Sequence, residues 1–314
     1  MTGRHRYVVA CLAGNGIGPE VMAEASRALA EVSTLHGFRV DEVHPPFGGE
    51  AVAQGGHPLP PATRRATLAA DAVLAAGSNQ PALEGVKAEL DLAASVVRTQ
   101  LAGGSDVTVF APLQRGTEEW AIERAFAAAK ASEGRLVSVG TDGAWSAHVE
   151  RVAESHNGVA VRELTLAQAL HELAKSPAEL RVIVTERMLA DALAEAPKLR
   201  GSSSRTATGL LSVSGPSLFG PTHGSAQEIA GQGVANPTEM LLAVALLLGE
   251  GLGRRAAAET LEGSVVTALR RPELTPDVAD GGRLASGTRE FVDVVLGLLP
   301  SARRDTEFAL EGGQ

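Results

Sequence analysis

The chain has a single cysteine, Cys11, and a single tyrosine, Tyr7, among its 314 residues. One thiol excludes an internal disulfide, and neither a CxxC motif nor a Cys/His zinc cluster can be assembled from it. Packing alone must hold the fold. Long apolar runs are also missing. The longest apolar block, Leu241 to Leu248, falls far short of the roughly twenty residues that a membrane-spanning helix requires. Arg4, His5 and Arg6 precede only a short apolar stretch, which does not read as a secretory signal. The expectation is therefore a cytoplasmic protein with no membrane partner. Basic residues are not in excess: the formal charge is −9, and the basic stripe of a nucleic-acid surface is absent. No G-x-S-x-G, H-E-x-x-H or P-loop spacing occurs, which removes the chemistries those motifs carry.

What is present is a hydrophobic content of 44%, enough for a sizeable core, in a length that suits two domains or one large one. Short apolar runs alternate with helix-length segments. Candidate strands are Tyr7 to Leu12, Arg39 to Val43, Ala72 to Ala75, Val107 to Phe110, Leu136 to Val139, Gly158 to Leu164 and Val182 to Val184. Helices are expected at Glu118 to Ser132 and Thr165 to Lys175. The alternation predicts an α/β fold with a largely parallel sheet. After Pro19, the residues Val21, Ala25, Leu29 and Val32 fall on one helical stripe, so the chain opens as strand, glycine turn and amphipathic helix. Low-complexity interruptions at Ala102 to Ser105 and Gly201 to Thr208 are the expected crossing points between domains.

The stretch from Gly220 to Pro237 reads G-P-T-H-G-S-A-Q-E-I-A-G-Q-G-V-A-N-P. Gly224, Gly231 and Gly233 free the backbone to approach a ligand and to adopt positive φ. Asn236-Pro237 is a helix cap with proline in the first turn. The pattern resembles the adenosine-binding signature of the β-decarboxylating dehydrogenases, the family of isopropylmalate and isocitrate dehydrogenases. Residues Ala13 to Val21 are similar to that family's opening G-D-G-I-G-P-E-V, with Asn15 where aspartate is usual, and Asp71 to Gly77 resembles its next cofactor-side strand and turn. Val184-Thr185-Glu186-Arg187-Met188 followed by Asp191 resembles V-T-E-N-M-F-G-D, which leads into the metal-binding helix.

The resemblance implies an isopropylmalate-dehydrogenase-like two-domain fold. A discontinuous cofactor domain of residues 1–101 and 203–314 would carry a smaller dimerisation and substrate domain of 102–202. It implies NAD binding by Ile17, Gly77, His223, Gly224, Ser225, Ala226, Glu228, Ile229 and Asn236, with His223 and Asn236 at adenine and Glu228 at the ribose. A carboxylate there accepts from a ribose diol and repels a 2′-phosphate, which favours NAD over NADP. A small-molecule substrate of the 2-hydroxy acid type and a homodimer are implied as well.

The catalytic set departs from the family. Its tyrosine is excluded, because Tyr7 lies in the first strand. Where relatives read S-V-D-K-A-N the chain has Ser138-Val139-Gly140-Thr141-Asp142-Gly143, with Thr141 at the lysine position. Asp191 and Glu195 match two metal ligands, and the third aligns with Thr165, so affinity for Mg²⁺ or Mn²⁺ should be weak. Two acids at i and i+4 also read simply as a solvated helix face. Arg98 lies near the first substrate arginine with one extra residue in the spacing, Ala111 replaces a second, and Arg115 stands nearby in a loop. The family's extended arm between Gln114 and Thr117 is missing. Asp142, His148 and Lys198 are the titratable residues nearest the lost groups, with the plainer readings of turn residue, helix surface and helix-terminal charge. Two functions follow: an NAD-linked oxidoreductase with an altered substrate or mechanism, or a catalytically silent subunit that partners an intact paralogue.

Overall fold

A computed structural model describes residues 5–77, 81–101, 104–200, 205–271 and 286–300. In chain order the elements are β1 (Arg6–Leu12), α1 (Gly18–Leu35), β2 (Arg39–Val43), α2 (Gly49–Ala53), α3 (Pro61–Ala69), β3 (Ala72–Ala75), α4 (Pro81–Lys87), β4 (Leu92–Gln100), β5 (Asp106–Pro112), α5 (Glu118–Lys130), β6 (Arg135–Val139), α6 (Gly143–Ala153) and β7 (Ala160–Leu164). They continue with α7 (Leu166–Lys175), β8 (Val182–Thr185), α8 (Arg187–Glu195), β9 (Arg205–Ser212), β10 (Ser217–Pro221), α9 (Thr238–Leu246), α10 (Arg255–Ala268) and α11 (Thr288–Gly297). The chain forms two compact units, Met1–Glu89 with Leu218–Gln314, and Leu90–Ser217.

In the first unit the strands run in the order β2-β1-β3-β10, and β1 pairs in parallel with both β2 and β3. The apolar half of β1 and all of β3 are buried, as the interior strands of a helix-covered parallel sheet must be. Val21, Ala25, Leu29 and Val32 of α1 are fully buried, so the expected stripe is the packing face. Helix α9 is apolar nearly all round and buried through Leu246, in keeping with a central position against α1 and α10.

In the second unit the order is β9-β4-β5-β8-β6-β7. Strands β5, β8, β6 and β7 are parallel, while β4 runs antiparallel to both β5 and β9. Val107, Val109, Val137, Val139, Ile183, Leu173 and Leu193 pack into one core on a face of this sheet.

Strands β4, β9 and β10 are additions to the sequence expectation. Arg205 to Thr208, expected as a low-complexity crossing, is strand, and with β4 it belongs to the second unit because both pair within that sheet. Small residues such as Ala94 and Ala207 give a weak strand signal, and cross-strand hydrogen bonding overrides it. Ala102, Gly103 and residues 201–204 lie outside the described residues.

Candidate functional site

The glycine-rich turn after β1 and the loop before α9 are locked together in the first unit. Gly14 and Gly16 have φ of 69° and 63°. A Cβ on Gly16 would lie 1.7 Å from the carbonyl oxygen of Ser225, and the next amide, Ile17, donates to that same oxygen at 2.9 Å. Only glycine permits that approach. Ile17 then caps α1, whose first turn contains Pro19 and Glu20.

Two carboxylates brace the loop from helix N-termini. Glu20 accepts from the amides of Gly231 at 3.1 Å and Ala235 at 3.3 Å. Glu239, in the first turn of α9, accepts from the amide and hydroxyl of Thr222 at 3.0 and 2.9 Å and from the amide of His223 at 3.2 Å. Thr288 completes the frame, donating from its amide to Gly233 at 2.8 Å and from its hydroxyl to Ala235 at 2.7 Å. The sequence reading missed Glu239 and Thr288 and gave Glu20 no role. The position of Glu20 beside the Gly16–Pro19 turn was the available signal.

The loop's outer surface is open. Gly231 and Gly233 have φ of 73° and 67°, and a Cβ on either would meet nothing within 4 Å. Ala226, at φ 37°, is the one non-glycine residue with positive φ among the described residues. It lies just before the short 3₁₀ turn Gln227–Ile229, on which Glu228 is exposed. Such strained non-glycine conformers concentrate at ligand-holding loops. His223 Nδ1 lies 3.0 Å from the carbonyl of Gly224. A carbonyl only accepts, so Nδ1 carries the proton and, in the neutral ring, Nε2 is an acceptor. Asn236 Oδ1 accepts from the amide of Thr238 at 3.0 Å at the entrance to α9, the kind of bond by which an asparagine caps a helix start, with Pro237 at the head of the helix. Gly77, buried at the end of the β3 turn, has φ 146°.

The positions that carry catalysis in the resemblance fall in the second unit and are occupied by structural contacts. The amide of Thr141 donates to Glu186 Oε1 at 2.5 Å and its hydroxyl lies 3.0 Å from both oxygens of that carboxylate. Asp142 is the N-cap of α6, accepting from Ala144 at 3.0 Å and Trp145 at 3.1 Å. Thr165 caps α7 in a reciprocal capping box with Gln168. Thr141, Asp142 and Thr165 line one cavity of about 290 Å³ beyond the C-terminal ends of β6 and β7, together with Ser138, Trp145 and Glu163. The Trp145 indole donates to Ser138 at 3.0 Å, and a Cβ on Gly140 would lie 2.1 Å from its ring, so the ring is seated by a glycine.

The other expected residues do not join this cavity. His148 lies 3.1 Å from Glu119, which also pairs with Arg151. Lys198 pairs with Glu195 at 2.7 Å, so one of the two acids on α8 is bound to a cation, while Asp191 is exposed. Arg98 Nε donates to Thr108 across the β4–β5 ladder at 3.1 Å, and Arg115 is exposed beside Gly116. Between β5 and α5 the chain closes tightly: Leu113 donates to Ala93 at 2.8 Å, and Gln114 and Thr117 reach Leu92 and Ala93 at 2.7 Å each. Tyr7 is in the first unit, accepting from Arg254 Nε at 2.8 Å, with the guanidinium 5.2 Å from the Tyr7 and Phe38 rings.

The family model for isocitrate/isopropylmalate dehydrogenase matches residues 8–101 and 114–295. The 3-isopropylmalate dehydrogenase of Synechococcus sp. (strain CC9605) is 31% identical, over 93% of this chain and 99% of its own length. The chloroplastic 3-isopropylmalate dehydrogenase 2 of Arabidopsis thaliana is 30% identical, over 94% of this chain and 88% of its own. The cyanobacterial alignment spans 354 positions against 314 residues here, so that relative has segments this chain lacks. In fold, the chain is similar to an apo β-decarboxylating dehydrogenase from Thermococcus kodakarensis, with a TM-score of 0.81, 24% identity and coverage of 98% of this chain and 99% of that one. The isocitrate dehydrogenase of Methylococcus capsulatus gives 0.74 at 21% identity, covering 93% and 99%.

Proposed function

The chain belongs to the isocitrate/isopropylmalate dehydrogenase family, and on that footing we propose that it is an NAD-binding oxidoreductase of the 2-hydroxy acid type whose substrate or mechanism has shifted from that of its relatives. The observation that carries the reading is the braced loop from Thr222 to Asn236, held by Glu20 and Glu239 and open outward at Gly231 and Gly233. An acceptor at His223 Nε2 has the polarity that an adenine amino group requires. Exposed Glu228 suits a ribose diol, and no lysine or arginine between Gly220 and Pro237 offers a partner for a 2′-phosphate. The residues fit NAD, which when bound supplies a hydride acceptor. The protein's part is to hold the adenosine end with Ile17, Gly77, His223, Gly224, Ser225, Ala226, Glu228, Ile229 and Asn236.

The divalent metal of the family fits poorly. Glu195 is paired with Lys198, and Thr165 uses its hydroxyl as a helix cap. We derive no step through Mg²⁺ or Mn²⁺. The small-molecule substrate is assigned to the cavity lined by Thr141 and Thr165, whose lining includes Asp142 and Glu163 and no lysine or arginine. Arg98 and Arg115, the substrate-binding candidates of the sequence, lie outside that cavity, as do His148 and Lys198, so Asp142 is the first of these positions to vary. A cytoplasmic location is part of the same reading. A homodimer through the helices of 102–202 is part of the same reading.

A second reading is favoured by the engagement of Thr141 with Glu186: a catalytically silent NAD-binding or regulatory subunit that pairs with an intact paralogue. Thermal stability of the purified chain with NAD, NADH and NADP, each with and without Mn²⁺, tests the cofactor, since a ligand of the folded state raises stability by mass action. Preferential stabilisation by NAD, lessened in Glu228→Lys, is expected. Equal stabilisation by NAD and NADP would overturn the cofactor assignment.

A further inference from the structure

The only thiol of the chain lies in a cluster that neither the loop nor the catalytic positions use. Glu42 of β2 is paired with Val9 of β1; Cys11 lies two residues further along β1, on the same face as Val9, and His44 follows directly after the last residue of β2. The side chains meet there. Cys11 Sγ lies 3.6 Å from Glu42 Oε2, His44 Nε2 lies 3.0 Å from the same oxygen, and the three ligand atoms lie within 4.8 Å of one another. Ser26, on the helix that covers this face, donates to Glu42 Oε2.

We propose that Cys11, Glu42 and His44 form a binding site for a zinc ion, with a fourth position open to water. The edge lengths carry the argument. Bond lengths of about 2.3 Å to sulfur and about 2.0 Å to nitrogen and oxygen, at tetrahedral angles, space sulfur from oxygen by about 3.5 Å and oxygen from nitrogen by about 3.3 Å. The observed 3.6 and 3.0 Å are close to both, before any ion draws the ligands in. Without a cation the arrangement gains little, because a thiol is a weak donor to a carboxylate. Burial and the neighbouring Glu42 push the Cys11 thiol up from its ordinary value, so it keeps its proton until a cation replaces it.

The donor set selects the metal. One thiolate, one imidazole and one carboxylate suit zinc, whereas Mg²⁺ and Mn²⁺ prefer all-oxygen shells. The sequence expectation reads the cysteine count as excluding a Cys/His zinc cluster; the structure brings one thiol, one imidazole and one carboxylate together, a mixed donor set that the count does not exclude. Access comes from the His44 side: its side chain is 51% exposed, that of Glu42 is 16% exposed, and Cys11 is 1% exposed beneath them. Ser26 then acts as the outer hydrogen-bond donor that fixes the carboxylate.

The test is titration of the full-length reduced chain with Co²⁺, a spectroscopic stand-in for zinc. Because Cys11 is the only cysteine, a thiolate-to-cobalt charge-transfer band can arise from this site alone. The expected result is a saturable band at one equivalent, abolished by one equivalent of Zn²⁺ and unaffected by a large excess of Mg²⁺. His44→Ala and Glu42→Gln should each raise the half-saturation concentration at least tenfold, and Cys11→Ser should remove the band. His44 is exposed, so its variant folds with the melting temperature of the metal-free protein and keeps the test decisive if Cys11→Ser does not fold. No band in the unaltered chain, or a band with unchanged half-saturation in both His44→Ala and Glu42→Gln, overturns the proposal.

Discussion

Thr141 presents both its backbone amide and its hydroxyl to the carboxylate of Glu186, at 2.5 and 3.0 Å. A neutral side chain tied to an acid therefore stands where the family resemblance implies a lysine. A threonine does not titrate near neutrality and brings no ammonium charge.

The chain alone should not perform metal-dependent oxidative decarboxylation of isopropylmalate or isocitrate at an ordinary rate. General acid–base groups contribute about 10² to 10⁴ in rate, and a Lewis-acid metal adds several kcal/mol of charge stabilisation. NADH absorbance with saturating substrate and Mn²⁺ is the assay. Restoring the ammonium alone, in Thr141→Lys, should not recover turnover, because the tyrosine and third carboxylate are still missing. Turnover on the order of 1 s⁻¹ or above in the unaltered chain would show that a substitute set exists.

Gly16→Ala and Gly37→Ala separate backbone strain from collision. Both glycines have positive φ, of 63° and 71°, but a Cβ on Gly37 meets nothing within 4 Å. Gly37→Ala should cost about 1 kcal/mol of unfolding free energy, the penalty of a left-handed non-glycine residue. Gly16→Ala must also displace the Ser225 carbonyl, and should lose clearly more, along with the stabilisation by NAD. Equal losses in urea denaturation would show that the Gly16–Ser225 contact is soft.

Tyr7→Phe removes the hydroxyl that accepts from Arg254 but leaves the ring under the guanidinium. A loss of about 0.5–1.5 kcal/mol is expected, the usual net worth of one hydrogen bond. Stabilisation by NAD should be unchanged. A diminished NAD response in this variant would contradict a purely structural tyrosine.

His36 gives the fold an acid sensitivity. Its ring nitrogen lies 3.0 Å from the Thr260 hydroxyl, and burial lowers its pKa below the ordinary 6.5. The folded state thus binds fewer protons than the unfolded state just below that value, so stability rises with pH through this window and falls as pH drops through it. His36→Gln should flatten the slope just below the ordinary histidine value of 6.5. An unchanged slope in urea midpoints would assign the acid sensitivity to other groups.

Association is expected to be dimeric at micromolar concentration, despite the short connection from Leu113 to Thr117. Light scattering after gel filtration decides this, and a monomeric mass would remove the homodimer from the functional reading.

The parts legible in sequence were those whose signal is local. Tyr7 to Leu12 and Val182 to Val184 announce buried parallel strands by apolar β-branched runs, and the Gly16–Pro19 turn announces a helix start. The loop from His223 to Asn236 was recognisable because its glycines serve the loop's own backbone. Strands β4 and β9 were not, since the small and polar Ala94, Thr99, Thr206 and Ala207 carry little strand signal and the β4–β9 ladder joins positions more than a hundred residues apart. The same holds for the site. Nothing near Glu239 in sequence reveals that its carboxylate will hold the amides of Thr222 and His223, and nothing near Thr141 names Glu186 as its partner.

The seating of Trp145 gives the molecule its own optical gauge. Its indole is a wall of the cavity shared by Thr141 and Thr165, donates to Ser138, and is 4% exposed. The only other tryptophan, Trp120, is partly exposed on α5 and does not line that cavity. A molecule entering the cavity replaces water at the edge of the buried fluorophore alone. Its arrival is therefore written in the colour and lifetime of one residue's emission, readable without a label and without turnover.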